Sequence, residues 1–158
     1  MTLAPDRSRI EPDSKSRLRL WLRLLRVTRS IESDLREKLR LDHGTTLPRF
    51  DVMAALSRHR DGLKMSELSG VLRVSNGNVT GIIERLVDEG FVQRAAVEGD
   101  RRASAVRLTA KGEEEFARQA AEHEAWINDA LSGLDAQEAQ EMADRLSALM
   151  KEGERHGA

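Results

Sequence analysis

The side chains able to do covalent or metal chemistry are few and scattered. Four histidines, His43, His59, His123 and His156, stand far apart, and the chain of 158 residues has no cysteine. Disulfides, thiolate metal sites and thiol redox switching are therefore excluded. His123 lies between Glu122 and Glu124, but adjacent residues on a helix point in different directions, so the trio is no hydrolytic centre. No His-Glu-x-x-His pair, phosphate-cradling glycine loop or nucleophile elbow occurs. Catalysis is not expected, nor is a metal or cofactor. A metal-responsive regulator would need ligands gathered by folding, and an ordinary solvated surface accounts for the scattered His, Asp and Glu.

Hydrogen-bonding groups do gather in one place. Ser75, Asn76, Asn78 and Thr80 are interleaved with Gly77 and Gly81. At the start of a helix such short polar groups can reach base edges, free amides can meet phosphates, and glycines remove bulk. An exposed glycine inside a helix costs about 1 kcal/mol relative to alanine, so close approach to another surface explains the pair better than folding does. Asp100, Arg101 and Arg102 form a second cluster. A guanidinium suits a phosphate or a narrow, electronegative minor groove, and the aspartate can hold one arginine through paired hydrogen bonds.

These clusters need a frame, and the apolar spacing supplies one. Residues 1–15, with two prolines and little periodicity, read as a mobile arm. From about Ser16 to Leu41, Trp21, Leu24, Leu25, Thr28, Ile31, Leu35 and Leu39 recur at threes and fours, the mark of a long amphipathic helix. Leu18, Leu22, Val27 and Leu41 widen its apolar face beyond one short contact, which points to a partner chain. Gly44 ends this helix. A second, capped by Thr45 or Thr46 with Pro48 in its first turn, runs to about Ser57 and buries Phe50, Met53, Ala54 and Leu56.

A polar link closes at Gly62, and a short third helix follows from Met65 to Leu72, with Leu68, Val71 and Leu72 inward and a turn at Arg73 and Val74. Ser75 caps a fourth helix ending at Gly90, whose buried face is Val79, Ile82, Ile83, Leu86 and Val87. At 100° per residue, Gly77, Thr80, Gly81, Glu84, Arg85 and Asp88 point away from that face. A short helix, a tight turn and a helix with a small polar start make up a helix-turn-helix. Phe91–Val97 and Ala103–Leu108 are strand-like, with turn chemistry at Glu98, Gly99, Asp100 and Arg101, so a protruding hairpin is expected. Thr109 caps a fifth helix to about Leu131, with Phe116, Ala120, His123, Ile127 and Leu131 on one side. After a break at Gly133 and Leu134, Asp135 caps a sixth helix to about Met150, lined by Met142, Leu146, Leu149 and Met150. The terminal residues should fray.

The net charge of −1 hides a division along the chain. Residues 1–111 hold 22 Lys/Arg against 15 Asp/Glu, net +7, and residues 112–158 hold 4 against 12, net −8. The basic part can face phosphates while the acidic part is held away. A hydrophobic share of 39% suffices for one domain with a core. No run approaches the roughly 18 apolar residues of a membrane helix, and the N-terminus lacks a secretory signal, so a cytoplasmic protein without a membrane partner is expected.

The run LPRFDVMAALSRHRDGLKMSELSGVLRVSNGNVTGIIERLVDEGFVQRAAVEGDRRASAVRLTAKG resembles the central region of MarR-family transcription regulators, and the resemblance extends from about residue 18 to 150. Its most specific parts are SELSGVLRVSNGNVTGIIERLVDEGFV and GDRRASAVRLTAKG. One departure is Lys64, where relatives often carry a capping Thr or Ser. The resemblance implies a mainly α fold with a small β-hairpin wing: a winged helix-turn-helix flanked by long helices that form an intertwined homodimer. It divides the chain into an arm 1–15, a dimerisation region 16–44 with 109–151, a DNA-binding region 45–108 and a tail 152–158. Leu18, Trp21, Leu22, Leu131, Met142, Leu146 and Leu149 would join the subunits.

The resemblance further implies that Ser75, Asn76, Gly77, Asn78, Thr80 and Gly81 open the recognition helix on double-stranded DNA, and that Asp100 and Arg102, with Arg101, form the wing's contact. A repressor that leaves a pseudo-palindromic operator when a small aromatic or amphipathic effector binds is expected. Trp21, Leu25, His43, Arg49, Phe50 and Met53 are the candidate lining. Arg23, Arg26, Arg29 and Arg49 would meet the carboxylate of an aromatic acid or the phosphates of its coenzyme A thioester. The rival of another class is a non-catalytic protein-interaction dimer, which leaves the glycine-opened helix and basic hairpin without a purpose.

Overall fold

The computed structural model describes residues 12–72, 76–97 and 99–157, and for 76, 77 and 100–103 the backbone alone. Six helices and three short strands follow in the order α1 (Asp13–His43), α2 (Leu47–Ser57), β1 (Leu63–Lys64), α3 (Met65–Leu72), α4 (Asn76–Asp88), β2 (Val92–Val97), β3 (Asp100–Leu108), α5 (Ala110–Ala130) and α6 (Ala136–His156). The architecture is mainly helical, with an antiparallel hairpin as its wing. The chain divides into two compact units, one ending at Phe116 and the other beginning at Ala117.

Local chemistry sets most of the helix ends in the first unit. Gly44 takes the left-handed conformation (φ 59°) and its amide donates to the Arg40 carbonyl at 3.1 Å, which closes α1. Thr46 caps α2, accepting the Arg49 amide through its hydroxyl at 3.3 Å, and Pro48 sits in the first turn. α1 opens at Asp13, three residues before the expected start; the rest of the expected arm, residues 1–11, lies outside the described residues.

α3 starts at Met65 as expected, despite Lys64. The Lys64 amide donates to the Glu67 carboxylate at 3.1 Å, so Glu67 supplies the reach-back half of a capping box without a capping hydroxyl. The expectation for Val71 fails, because this side chain is exposed. Leu68 and Ser69 are the buried residues of α3, and the Ser69 hydroxyl satisfies itself on the Met65 carbonyl at 3.1 Å. A buried arc through Met65, Leu68, Ser69 and Leu72 leaves Val71 about 110° from its centre at 100° per residue. The expected turn at Arg73 and Val74 and the cap at Ser75 lie outside the described residues.

β1 was not foreseen. It pairs with β3, Leu63 opposite Val106 and Lys64 opposite Ala105, so the sheet order is β1-β3-β2. Gly62 permits the approach: its φ is 96°, and a Cβ there would stand 2.9 Å from the Val106 carbonyl oxygen. β2 starts at Val92, one residue later than expected, and β3 starts at Asp100. Asp100, Arg101 and Arg102 are therefore strand residues and not turn residues, with Asp100 opposite Val97.

The core of this unit gathers Val52, Met53, Ala55 and Leu56 of α2, Leu63, Leu68, then Val79, Ile83 and Leu86 of α4, and Val92, Val106 and Leu108 of the hairpin. Ala54, expected inside, is only half-buried, because Val52 and Ala55 take the inward positions. α4 thus has one face locked into the core and the other on the surface.

In the second unit Asp135 caps α6 with a full capping box, accepting the Glu138 amide at 2.8 Å while the Glu138 carboxylate accepts the Asp135 amide at 3.0 Å. α5 ends at Ala130, leaving Leu131 in the following turn. α6 continues to His156, six residues past the expected end, with Lys151, Glu152, Glu154 and Arg155 favouring helix on either side of Gly153. None of its residues is buried. Among the described residues, no helix is long and apolar enough to cross a membrane.

Candidate nucleic-acid interface

α4 is held by Val79, Ile83 and Leu86, all fully buried at a spacing of four and three. The opposite face presents Asn78, Thr80, Gly81, Glu84, Arg85 and Asp88 to the surface. The expected polar face is therefore brought together for Asn78, Thr80 and Gly81. Ser75 lies outside the described residues, and of Asn76 and Gly77 the backbone alone is described. Gly81 stands at the middle of a 13-residue helix, and a Cβ built on it would meet nothing within 4 Å. Among the described residues nothing requires a glycine there.

The hairpin follows α4 after a three-residue link. Its register sets Gln93 opposite Arg107 and Arg94 opposite Val106, with an irregularity between Ala96 and Val97. Asp100, Arg101 and Arg102 occupy the tip end of β3, where their side chains are outside the described residues. Arg94 and Arg107 are exposed and add positive charge to the wing. Sequence reading named the tip alone; strand alternation could have pointed to Arg107, between the buried Val106 and Leu108, but not to Arg94, which shares the face of Val92.

The link between α4 and the wing, Glu89–Phe91, is gripped from two sides. From α2, the Arg49 guanidinium forms an ion pair with the Glu89 carboxylate, their side chains 12% and 38% exposed. Burial, and then the nearby charge of Arg85, hold the Arg49 guanidinium below its usual pKa. From the start of α5, the Thr109 hydroxyl donates to the Gly90 carbonyl at 2.6 Å and accepts the Gly112 amide at 3.0 Å. Lys111 donates to the Glu89 carbonyl at 2.8 Å and lies 4.9 Å over the Phe91 ring. A Cβ at Gly112 would overlap the Phe91 carbonyl oxygen. The signal for this lock was the Thr109-Ala110-Lys111-Gly112 segment, which sequence reading used only as a helix start.

The residues named for an effector separate. Met53 belongs to the core, Phe50 is buried with its ring 5.5 Å from that of Phe116, and Arg49 is committed to Glu89. Trp21, Arg23, Arg26 and Arg29 lie exposed along α1, and Leu25 and His43 are half-buried. A cavity of about 540 Å³ opens elsewhere, lined by Thr46, Pro48, Asp51, Val52, Leu72, Asn78 and Ile82. It shares no residue with that set, and it touches α4. The residues named for dimerisation, Leu18, Trp21, Leu22, Leu131, Met142, Leu146 and Leu149, are all exposed in the single chain. No group of three or more His, Asp or Glu able to hold a metal ion forms among the described residues.

Comparison with known proteins agrees with this geometry. The MarR family model matches residues 45–104, from the cap of α2 to the wing. A MarR family transcriptional regulator from Silicibacter pomeroyi is 31% identical, with a TM-score of 0.74 over 90% of this chain and 99% of its own. The HTH-type transcriptional regulator BilQ of Clostridium symbiosum is 30% identical over 97 residues, 61% of this chain and 67% of its own length. The fold is also shared with Sco3205, a MarR family regulator from Streptomyces coelicolor solved in complex with DNA, at 23% identity and a TM-score of 0.75 over 85% of each chain.

Proposed function

The chain belongs to the MarR family of DNA-binding transcription regulators, and we propose that it acts as a homodimeric repressor of a pseudo-palindromic operator, released by a small effector. The observation that carries the reading is the exposed half of α4. Asn78 and Thr80 offer short hydrogen-bonding groups around Gly81, a glycine that none of the described residues requires. A glycine in an exposed helix interior costs about 1 kcal/mol, and a base edge that would collide with a side chain supplies the missing reason. The net +7 of residues 1–111 supplies the sequence-independent attraction to phosphates.

The dimer is supported by unmet apolar surface. α1 leaves Leu18, Trp21 and Leu22 exposed, and α6 leaves Met142, Leu146 and Leu149 exposed and buries nothing. Such stripes on two long helices ask for a partner, and a second copy presents the same stripes. In this reading 16–44 and 109–151 join the subunits, and 45–108 bind DNA. Two α4 helices then meet successive major grooves about 34 Å apart, with Asp100, Arg101 and Arg102 on the flanking backbone or minor groove.

The effector is proposed as a small aromatic or amphipathic molecule. Phe50 and Met53 are occupied by the core, so on the original site Trp21, Leu25, His43 and the α1 arginines would carry the contact. The cavity against α4 has a volume typical of small-molecule sites and disfavours an anionic compound, since its described lining holds the Asp51 carboxylate and no cation. In either place the ligand acts by binding one dimer geometry better than the other.

The test is selection of bound sequences from random duplex DNA, then affinity on the best sequence at two salt concentrations. An inverted repeat bound well above scrambled duplex is expected. Equal weak binding to every duplex would refute the reading in favour of a protein-interaction dimer.

A further inference from the structure

We propose that Arg49 is a positioning residue for DNA recognition: by holding the Glu89 carboxylate from α2 it sets the C-terminal end of α4, and through it the angle at which Asn78, Thr80 and Gly81 meet the duplex. The inference rests on α4 being the reading helix. Hydrophobic packing through Val79, Ile83 and Leu86 keeps α4 in place but is non-directional, and allows small tilts. Directional contacts at Glu89–Phe91 come from the α5 side through the hydroxyl of Thr109 and the ammonium of Lys111, both to backbone carbonyls. Arg49 adds the grip on the Glu89 side chain from the other direction.

The lever is long. At 1.5 Å per residue α4 spans roughly 20 Å, so a tilt of about 10° at its end displaces its first residue by about 3 Å, the length of a whole hydrogen bond. A pair whose arginine is largely buried while its carboxylate stays partly exposed contributes geometry more than stability, and losing the carboxylate leaves the guanidinium without its counterpart. Arg85, one turn before Glu89, adds like charge beside Arg49, and the Glu89 carboxylate, in its ion pair with Arg49, stands as the counter-charge. Arg49 sits under the link, and its task is distinct from that of an arginine on a phosphate.

The test uses the full-length protein and an operator found by selection, with R49K, R49Q, the double variant R49Q/E89Q, and N78A as the check on α4 itself. R49Q should bind the operator at least tenfold more weakly while binding scrambled duplex, with its salt dependence, as the parent does. R49K should recover most of the operator affinity, and the double variant should be no weaker than R49Q, because the two residues act as one unit. The double variant also restores a neutral hydrogen-bonding pair should R49Q fold poorly. Full operator affinity in both glutamine variants would overturn the proposal. So would equal losses on operator and scrambled duplex with a shallower salt slope, which would make Arg49 a phosphate contact. If N78A retains operator affinity, the reading of α4 fails; if N78A loses it and R49Q does not, only the role of Arg49 fails.

Discussion

Replacing Gly81 with alanine should make the protein more stable and worse at its task. A methyl group at this position meets no atom within 4 Å, so it brings no clash inside the chain. Alanine is favoured over glycine in an exposed helix interior by about 1 kcal/mol, through the entropy of the unfolded chain. For a chain of this length that raises the midpoint of thermal unfolding by about 2–4 °C. On the operator the same methyl stands between α4 and the base edges. A lost base contact costs about 1–3 kcal/mol, and a symmetric dimer loses it twice, so about 2–6 kcal/mol and upward of roughly 30-fold in affinity are at stake. Binding to scrambled duplex, which depends on phosphates, should hardly change. The assays are thermal unfolding at fixed protomer concentration, since dimerisation couples to stability, and titration on selected and scrambled duplex. A G81A protein that binds the operator as tightly as the parent, or that unfolds earlier, would refute the reasoning.

The same substitution at Gly112 should have the opposite sign. A Cβ there overlaps the Phe91 carbonyl oxygen, and relief requires moving α5 off the hydrogen bonds from the Thr109 amide, the Thr109 hydroxyl and Lys111 to Phe91, Gly90 and Glu89. At about 0.5–1.5 kcal/mol net each, less about 1 kcal/mol of helix propensity, G112A should lose about 0.5–3.5 kcal/mol, read as a lower urea midpoint. An unchanged midpoint would refute the lock. Replacing Leu146 and Leu149 together with aspartate should leave the folded winged unit intact, because neither is buried in the single chain. It should yield monomers by sedimentation at micromolar concentration and abolish tight operator binding. A persistent dimer would remove α6 from the interface.

Where the sequence was legible, the signal was local. Gly44, the Thr45-Thr46 pair and Asp135 each announce a helix end locally, and the structure places the ends at Gly44, Thr46 and Asp135. The buried line of α4 follows from one period. The places where reading failed need partners far along the chain. β1 is two residues long and has no period of its own; it exists because Val106 and Ala105 offer an edge more than forty residues later. Val71 was placed inward on apolarity alone, and Ser69 displaced it by satisfying its hydroxyl within its own turn. α6 outran its expected end because its apolar line stops at Met150 while Lys151, Glu152, Glu154 and Arg155 carry the helix on past Gly153.

The candidate site divides in the same way. Gly81 was legible because it breaks a local rule, a helix breaker amid a helical pattern, and such exceptions mark places where something other than folding is being served. The partner of Arg49 was missed for the converse reason. Read locally Arg49 is a charge beside an aromatic residue, which suits a ligand carboxylate, but its actual counter-charge is Glu89, forty positions away. No periodicity connects the two. What joins them is the need of a buried guanidinium for an anion and the need of the link after α4 for a second anchor, so the role of each residue becomes visible only once α2 and the end of α4 lie side by side. The face that would touch DNA could be found from single residues; the parts that aim it are pairs.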